Sequence, residues 1–120
     1  MNIHYLYLNA ERLCLAAIAD SFFLRLRGMI GREFNPFDAM VIIPCNQIHT
    51  YHMRFPIDAV FLDKEGKVVG IIENIAPNKR TKYFRSGRYV VEMRAGAIKK
   101  YGIALDDRMT LTLANEVDDG

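Results

Sequence analysis

Two apolar runs, Ile57 to Asp63 and Lys67 to Asn74, are separated only by Lys64-Glu65-Gly66. So short a connection cannot carry a crossover helix, so the two runs must lie antiparallel as a hairpin. Val68, Val69, Ile71 and Ile72 are β-branched, which suits a pleated, half-buried surface. A hairpin alone is marginal in water, so further strands or helices must cover it.

The rest of the chain supplies them. Ile3 to Leu8 reads as a strand, with Asn9-Ala10-Glu11 as a turn. Arg12 to Ala19 carries helix-favouring alanines, but its length and the hairpin context fit a second strand. Met40-Val41-Ile42-Ile43 is wholly apolar and stops at Pro44, as expected of a strand buried on both faces. Tyr89 to Met93 and Arg108 to Leu113 read as two more strands. Asp20-Ser21 can cap a helix over about 21–31, in which Phe22, Phe23, Leu26, Met29 and Ile30 share a core-facing side and Gly31 marks the end. A second helix is expected over 95–101, stopped by Gly102. The expected fold class is α+β: a curled, mostly antiparallel sheet or partly closed β-barrel of six or seven short strands with two helices.

A chain of 120 residues with 51% hydrophobic and 25% charged residues forms one domain, residues 1–120, with a flexible acidic tail expected at about 115–120. No apolar run approaches the roughly 18 residues of a membrane span. Sixteen basic against 14 acidic residues leave +2, so no nucleic-acid partner is expected. Cys14 and Cys45 can form one disulfide at most. Met1 to Leu8 has no cationic n-region and the apolar stretch Leu13 to Ala19 is short, so the expected location is the cytoplasm.

The segment Ile48 to Val69 contains Met53-Arg54-Phe55-Pro56-Ile57-Asp58 followed by Phe61-Leu62-Asp63-Lys64-Glu65-Gly66-Lys67-Val68. It resembles the signature of the domain of unknown function family 192, a Met-(Arg or Lys)-x-(Pro or Thr)-(Ile or Leu)-Asp element before a Phe-Leu-Asp-x-x-Gly-x-Val hairpin. Arg27-Gly28-Met29-Ile30-Gly31-Arg32 resembles that family's upstream element, with Met-Ile where Leu-Met is usual. Val91 to Gly96 resembles its downstream Glu-(Leu or Val)-x-x-Gly element. The later glycine-aspartate pattern is altered to Asp106-Asp107-Arg108-Met109. The resemblance runs from about Ala19 to Leu113. It implies a compact α+β domain around a curled antiparallel sheet, and no established biochemical function.

Several side chains suggest chemistry. Cys45, His49 and His52 are thiol and imidazole groups of the kind that ligate zinc, with Asp58 or Glu73 as fourth ligand. Packing of the cysteine and surface placement of the histidines explain the same residues without a metal. Cys45 with His49 also reads as a nucleophile and base, and no third orienting group is readable. Asp58 opens an apolar strand and shares a face with Val60 and Leu62, so it points inward and needs partners: Arg54 first, then His49 or a backbone amide. Arg27, Gly28 and Arg32 offer paired guanidiniums for an anion or a partner, but read first as a solvated helix face with a glycine for close packing. Lys79, Arg80, Lys82, Arg85 and Arg88 form a basic loop interleaved with Tyr83, Phe84 and Tyr89.

The leading expectation is a non-catalytic binding or accessory module with a small polar or anionic ligand pocket over His49 to Asp58. Its ligand-binding residues are His49, His52, Arg54 and Asp58, and it needs no cofactor. The alternative is a metal-dependent or thiol-dependent enzyme using Cys45, His49 and His52. A second alternative is a protein-interaction domain acting through the basic loop 79–88.

Overall fold

In a computed structural model, residues 2–113 are described. The expected acidic tail lies outside them. Seven strands and two short helices follow the order β1 (Ile3–Leu8), β2 (Glu11–Ala19), α1 (Phe22–Arg27), β3 (Ala39–Ile42), β4 (Ile57–Leu62), β5 (Val68–Ile75), β6 (Tyr89–Arg94), α2 (Ala97–Tyr101) and β7 (Met109–Leu113). They form one sheet in the spatial order β5-β4-β6-β3-β2-β1-β7, curled into a half-barrel. Of its pairings only β2 with β3 is parallel; the others are antiparallel. The α+β, mostly antiparallel expectation holds.

Local chemistry explains the elements. Asn9 and Ala10 take positive φ values of 48° and 74°, the conformation of a tight two-residue turn between β1 and β2. Gly66 at φ +84° closes the β4–β5 hairpin, and a Cβ there would sit 2.4 Å from the Met109 carbonyl oxygen. β3 and β4 are buried throughout because β3 and β4 both lie inside the sheet and are covered on both faces. On one face, Leu6, Val41, Val60, Leu62, Val91 and Met93 pack with Ile98 of α2. On the other, Met40, Ile42, Ala59, Phe61 and Val90 pack beneath Met29, Phe34, Phe37, Ile48 and Met53 from the long connections. β7 and the turn before it also meet the β4–β5 turn: Val68 donates to Asp107 (2.8 Å) and Met109 to Gly66 (2.9 Å).

The expected helix over 21–31 is corrected in extent and in facing. Ser21 caps it, its Oγ accepting from Leu24 N–H at 3.2 Å. The helix then ends at Arg27, because Gly28 turns to φ +50°. Tighter turns follow, with Ile30 donating to Arg27 and Arg32 to Met29. Met29 is buried, but Phe22, Phe23 and Leu26 are 65%, 78% and 59% exposed. Helical spacing had put all of them on a core-facing side. Phe22 and Phe23 meet edge to face at 5.5 Å, on the outside of the molecule.

Candidate functional site

Asp58 points inward, as the alternation of β4 requires, and is fully buried. Its partners are backbone amides, not Arg54. Oδ1 accepts from Asn74 N–H (2.8 Å), and Oδ2 accepts from Gly96 N–H (3.1 Å) and Ile98 N–H (2.9 Å). Gly96 has no side chain with which to cap α2. The carboxylate reaches across from β4 and serves as that cap, placing negative charge at the helix start. Three of its four oxygen lone-pair directions are thus taken up by the fold.

The other residues expected in the His49–Asp58 pocket are dispersed. Arg54 is exposed and lies beside Arg32 and Glu33 in a groove of about 300 Å³. His52 is exposed at φ +65°, its backbone N–H donating to Asn78 Oδ1. Glu73, the other suggested fourth ligand, is exposed on β5. Among the described residues no group of three His, Cys, Asp or Glu side chains is close enough to hold a metal ion. Cys45 and His49 line one cavity.

That cavity, about 60 Å³, lies between α1 and the sheet. The segment from Cys45 to Thr50 is held on one side of it by the basic loop. Thr81 donates to the Ile48 carbonyl (2.9 Å), Phe84 to Asn46 (2.9 Å) and Thr50 to Lys79 (2.8 Å). Phe84 anchors this loop by stacking on Phe61, with ring centroids 4.0 Å apart. His49 is thereby fixed at the cavity, its ring stacked on Tyr51 at 4.7 Å. From the opposite side come Arg25, Arg27 and Gly28; Arg25 Nη1 donates to the Pro44 carbonyl at 3.4 Å and Arg27 Nε to Ile30 at 3.0 Å. From below comes Glu92 of β6, paired in register with Met40 and Ala59 and only 2% exposed.

Three buried polar side-chain atoms have no hydrogen-bond partner among the described residues: Arg25 Nε, His49 Nδ1 and Glu92 Oε1. All three belong to residues lining this one cavity. Each such atom ordinarily costs about 1–3 kcal/mol, so their convergence calls for a partner not supplied by the fold. Burial pushes the Glu92 carboxyl up to about 8, which keeps it protonated at neutral pH. Burial also pushes the Cys45 thiol up, and its Sγ donates to the Gln47 carbonyl at 3.1 Å. A thiol so held is not an activated nucleophile. Cys14, also free, is raised by burial to about 11.

Glu92 and Arg25 are the members that sequence reasoning missed. A signal for Glu92 was available: a lone carboxylate within the apolar strand Tyr89 to Met93 obeys the rule that drew attention to Asp58. Gly28 is close to it, since a Cβ on Gly28 would lie 3.5 Å from Glu92 Oε1. The Arg27–Gly28 and Glu92 elements, 64 residues apart in sequence, therefore meet at this cavity.

A family model described as "Uncharacterized ACR" matches residues 8–111. No curated protein matches the chain. Two solved structures share the fold. One, from Sinorhizobium meliloti 1021 and provisionally described as a transcription regulator, is 22% identical with a TM-score of 0.77, over 91% of this chain and 93% of that one. The other, a protein of unknown function from Novosphingobium aromaticivorans DSM 12444, is 17% identical with a TM-score of 0.75, over 92% of this chain and 84% of that one.

Proposed function

The chain belongs to the DUF192 family, whose matched region spans residues 8–111, and on that premise we propose that it is a non-catalytic binding or accessory module for a small polar molecule. The ligand sits in the cavity shared by Arg25, Cys45, His49 and Glu92. The observation that carries this reading is the gathering of three unpartnered buried polar atoms at one cavity. A polar ligand offers Arg25 Nε, His49 Nδ1 and Glu92 Oε1 the hydrogen bonds they lack. Of the residues first suggested by the sequence, His49 keeps a direct role. Arg54 stands at a separate groove, His52 is on the surface, and Asp58 serves the fold.

A binding role is favoured over thiol chemistry because Cys45 keeps its proton. The likeness to a protein provisionally described as a transcription regulator is compatible with an effector-binding module, but the fold alone does not assign one. The test is an amide NMR titration with a panel of small polar molecules: sugars, polyols, amides and acids. Binding is expected to move the amide signals of Gly28, Cys45 and His49, and to weaken at least tenfold in His49→Ala. Perturbations confined to the apolar trough of about 360 Å³ lined by Leu6, Val41, Leu62, Tyr89 and Met109 would move the site there and end the proposal.

A further inference from the structure

Resting on that reading, we infer that the cavity selects a carboxylate: the ligand presents a carboxylate end to Arg25, His49 and Glu92. The argument is one of hydrogen-bond and charge balance. Arg25 Nε carries a hydrogen and can only donate. Its guanidinium is charged, and Arg27 adds a second positive charge to the lining. The sole acidic residue in the lining is Glu92, which is 2% exposed and has an unpartnered oxygen. In its protonated form Glu92 donates one O–H and adds no negative charge. Arg25 Nε and the Glu92 O–H are therefore two donors in want of an acceptor, in a lining that is positive in sum. A cationic ligand would meet two guanidiniums and no counter-charge. A hydroxyl or amide end would add donors of its own to the surplus. An ionised carboxylate only accepts, carries one charge, and has two oxygens that can be shared between Arg25 and the Glu92 hydroxyl. The volume of about 60 Å³ suits such an end group, with the remainder of the ligand at the mouth.

This arrangement makes capture sensitive to pH. When Glu92 ionises, a donor is lost and a second negative charge stands against the ligand. The titratable and charged groups facing Glu92 are Arg25 and Arg27 from α1 and Cys45 and His49 from the loop. Its sheet neighbours, Met40 and Ala59, contribute none. Since the Glu92 carboxyl is raised to about 8, carboxylate affinity holds below that pH and falls about tenfold per unit above it.

The experiment titrates the whole protein with acetate, and with acetamide and methylammonium as neutral and cationic probes of similar size, from pH 6 to pH 10 by amide NMR. Acetate is expected to saturate shifts at Gly28, Cys45 and His49, at least tenfold more tightly than either other probe. Glu92→Gln, checked for folding by its dispersed spectrum, should lose the fall above pH 8: whatever its affinity at pH 6, it should bind acetate equally well at pH 9. His49→Asn tests whether the pH dependence belongs to the imidazole: the fall must survive there. If acetamide binds in the cavity as well as acetate does, or if acetate affinity is flat across the range, the carboxylate inference fails while the binding module stands. If none of the probes, and none of the polar panel, reaches the cavity, both fail.

Discussion

Replacing Asp58 with alanine separates a structural carboxylate from a ligand-binding one. Its two oxygens accept three backbone N–H groups, from Asn74, Gly96 and Ile98. The Ile98 amide is buried and belongs to the first turn of α2, where N–H groups lack partners by geometry. Leaving it orphaned costs about 2–3 kcal/mol. The Asn74 and Gly96 amides are partly buried and can turn toward water, at about 1 kcal/mol each. Asp58→Ala should therefore destabilise by about 4–5 kcal/mol, a large share of the roughly 5–15 kcal/mol that holds a domain of this size. Asp58→Asn keeps one accepting oxygen but turns an NH2 group toward donors, and should lose about 2–3 kcal/mol. Urea titrations followed by circular dichroism measure both, and a shifted midpoint with unchanged m-value reports stability alone. Acetate titrations of both variants run alongside. If Asp58→Ala stays within about 1 kcal/mol of the parent while binding disappears, Asp58 is a ligand residue and the helix-cap argument is wrong.

Other consequences are equally direct. Because Glu92 is raised from 4.5 to about 8 in the fold, the native chain holds a proton that the unfolded chain releases; stability is full below pH 4.5 and falls by up to about 5 kcal/mol as pH rises through 8. Glu92→Gln should abolish that slope, and unfolding midpoints at pH 5 and pH 9 that move in parallel for both proteins would refute it. At pH 7.5 both thiols should label at least tenfold more slowly than free cysteine, and at the free rate in urea, since burial raises Cys14 to about 11 and Cys45 in the same direction; rapid native labelling of Cys45 would reopen thiol chemistry. Gly70→Ala places a Cβ about 2.1 Å from the Phe84 ring, which must leave its stack on Phe61 at a cost of about 1–3 kcal/mol; a neutral result by denaturant titration would show the basic loop to be loosely held.

The strands were readable because each carries a local signal: an apolar run, a β-branched pair, or a turn at its end. The inward aim of Asp58 was readable from alternation, but its partners were not. Its acceptor bonds go to amides 16, 38 and 40 residues away, and only the folded register brings those together. For α1 the spacing of Phe22, Phe23, Leu26, Met29 and Ile30 shows which residues share a side, not what that side faces. Gly28 ended the helix before Met29, so the buried and exposed members of the series belong to different local structures. The site followed the same logic. His49 was visible as a polar residue in a polar stretch, whereas Glu92 was hidden among valines and Arg25 among helix-face cations. Their unmet hydrogen bonds exist only once α1, the loop and β6 converge.

The position of β7 reaches beyond the finished structure. Its residues pair with β1, Leu8 opposite Met109, about a hundred residues away in the chain, and it also bonds the β4–β5 turn. Loop closure over such a span must be made before its contacts reward it, so this seam is expected late on the folding pathway. During synthesis the β1–β2 hairpin and the β4–β5 hairpin emerge well before their common neighbour. Until residues 109–113 leave the ribosome, the outer edge of β1 and the apolar trough beside it stand open to other chains.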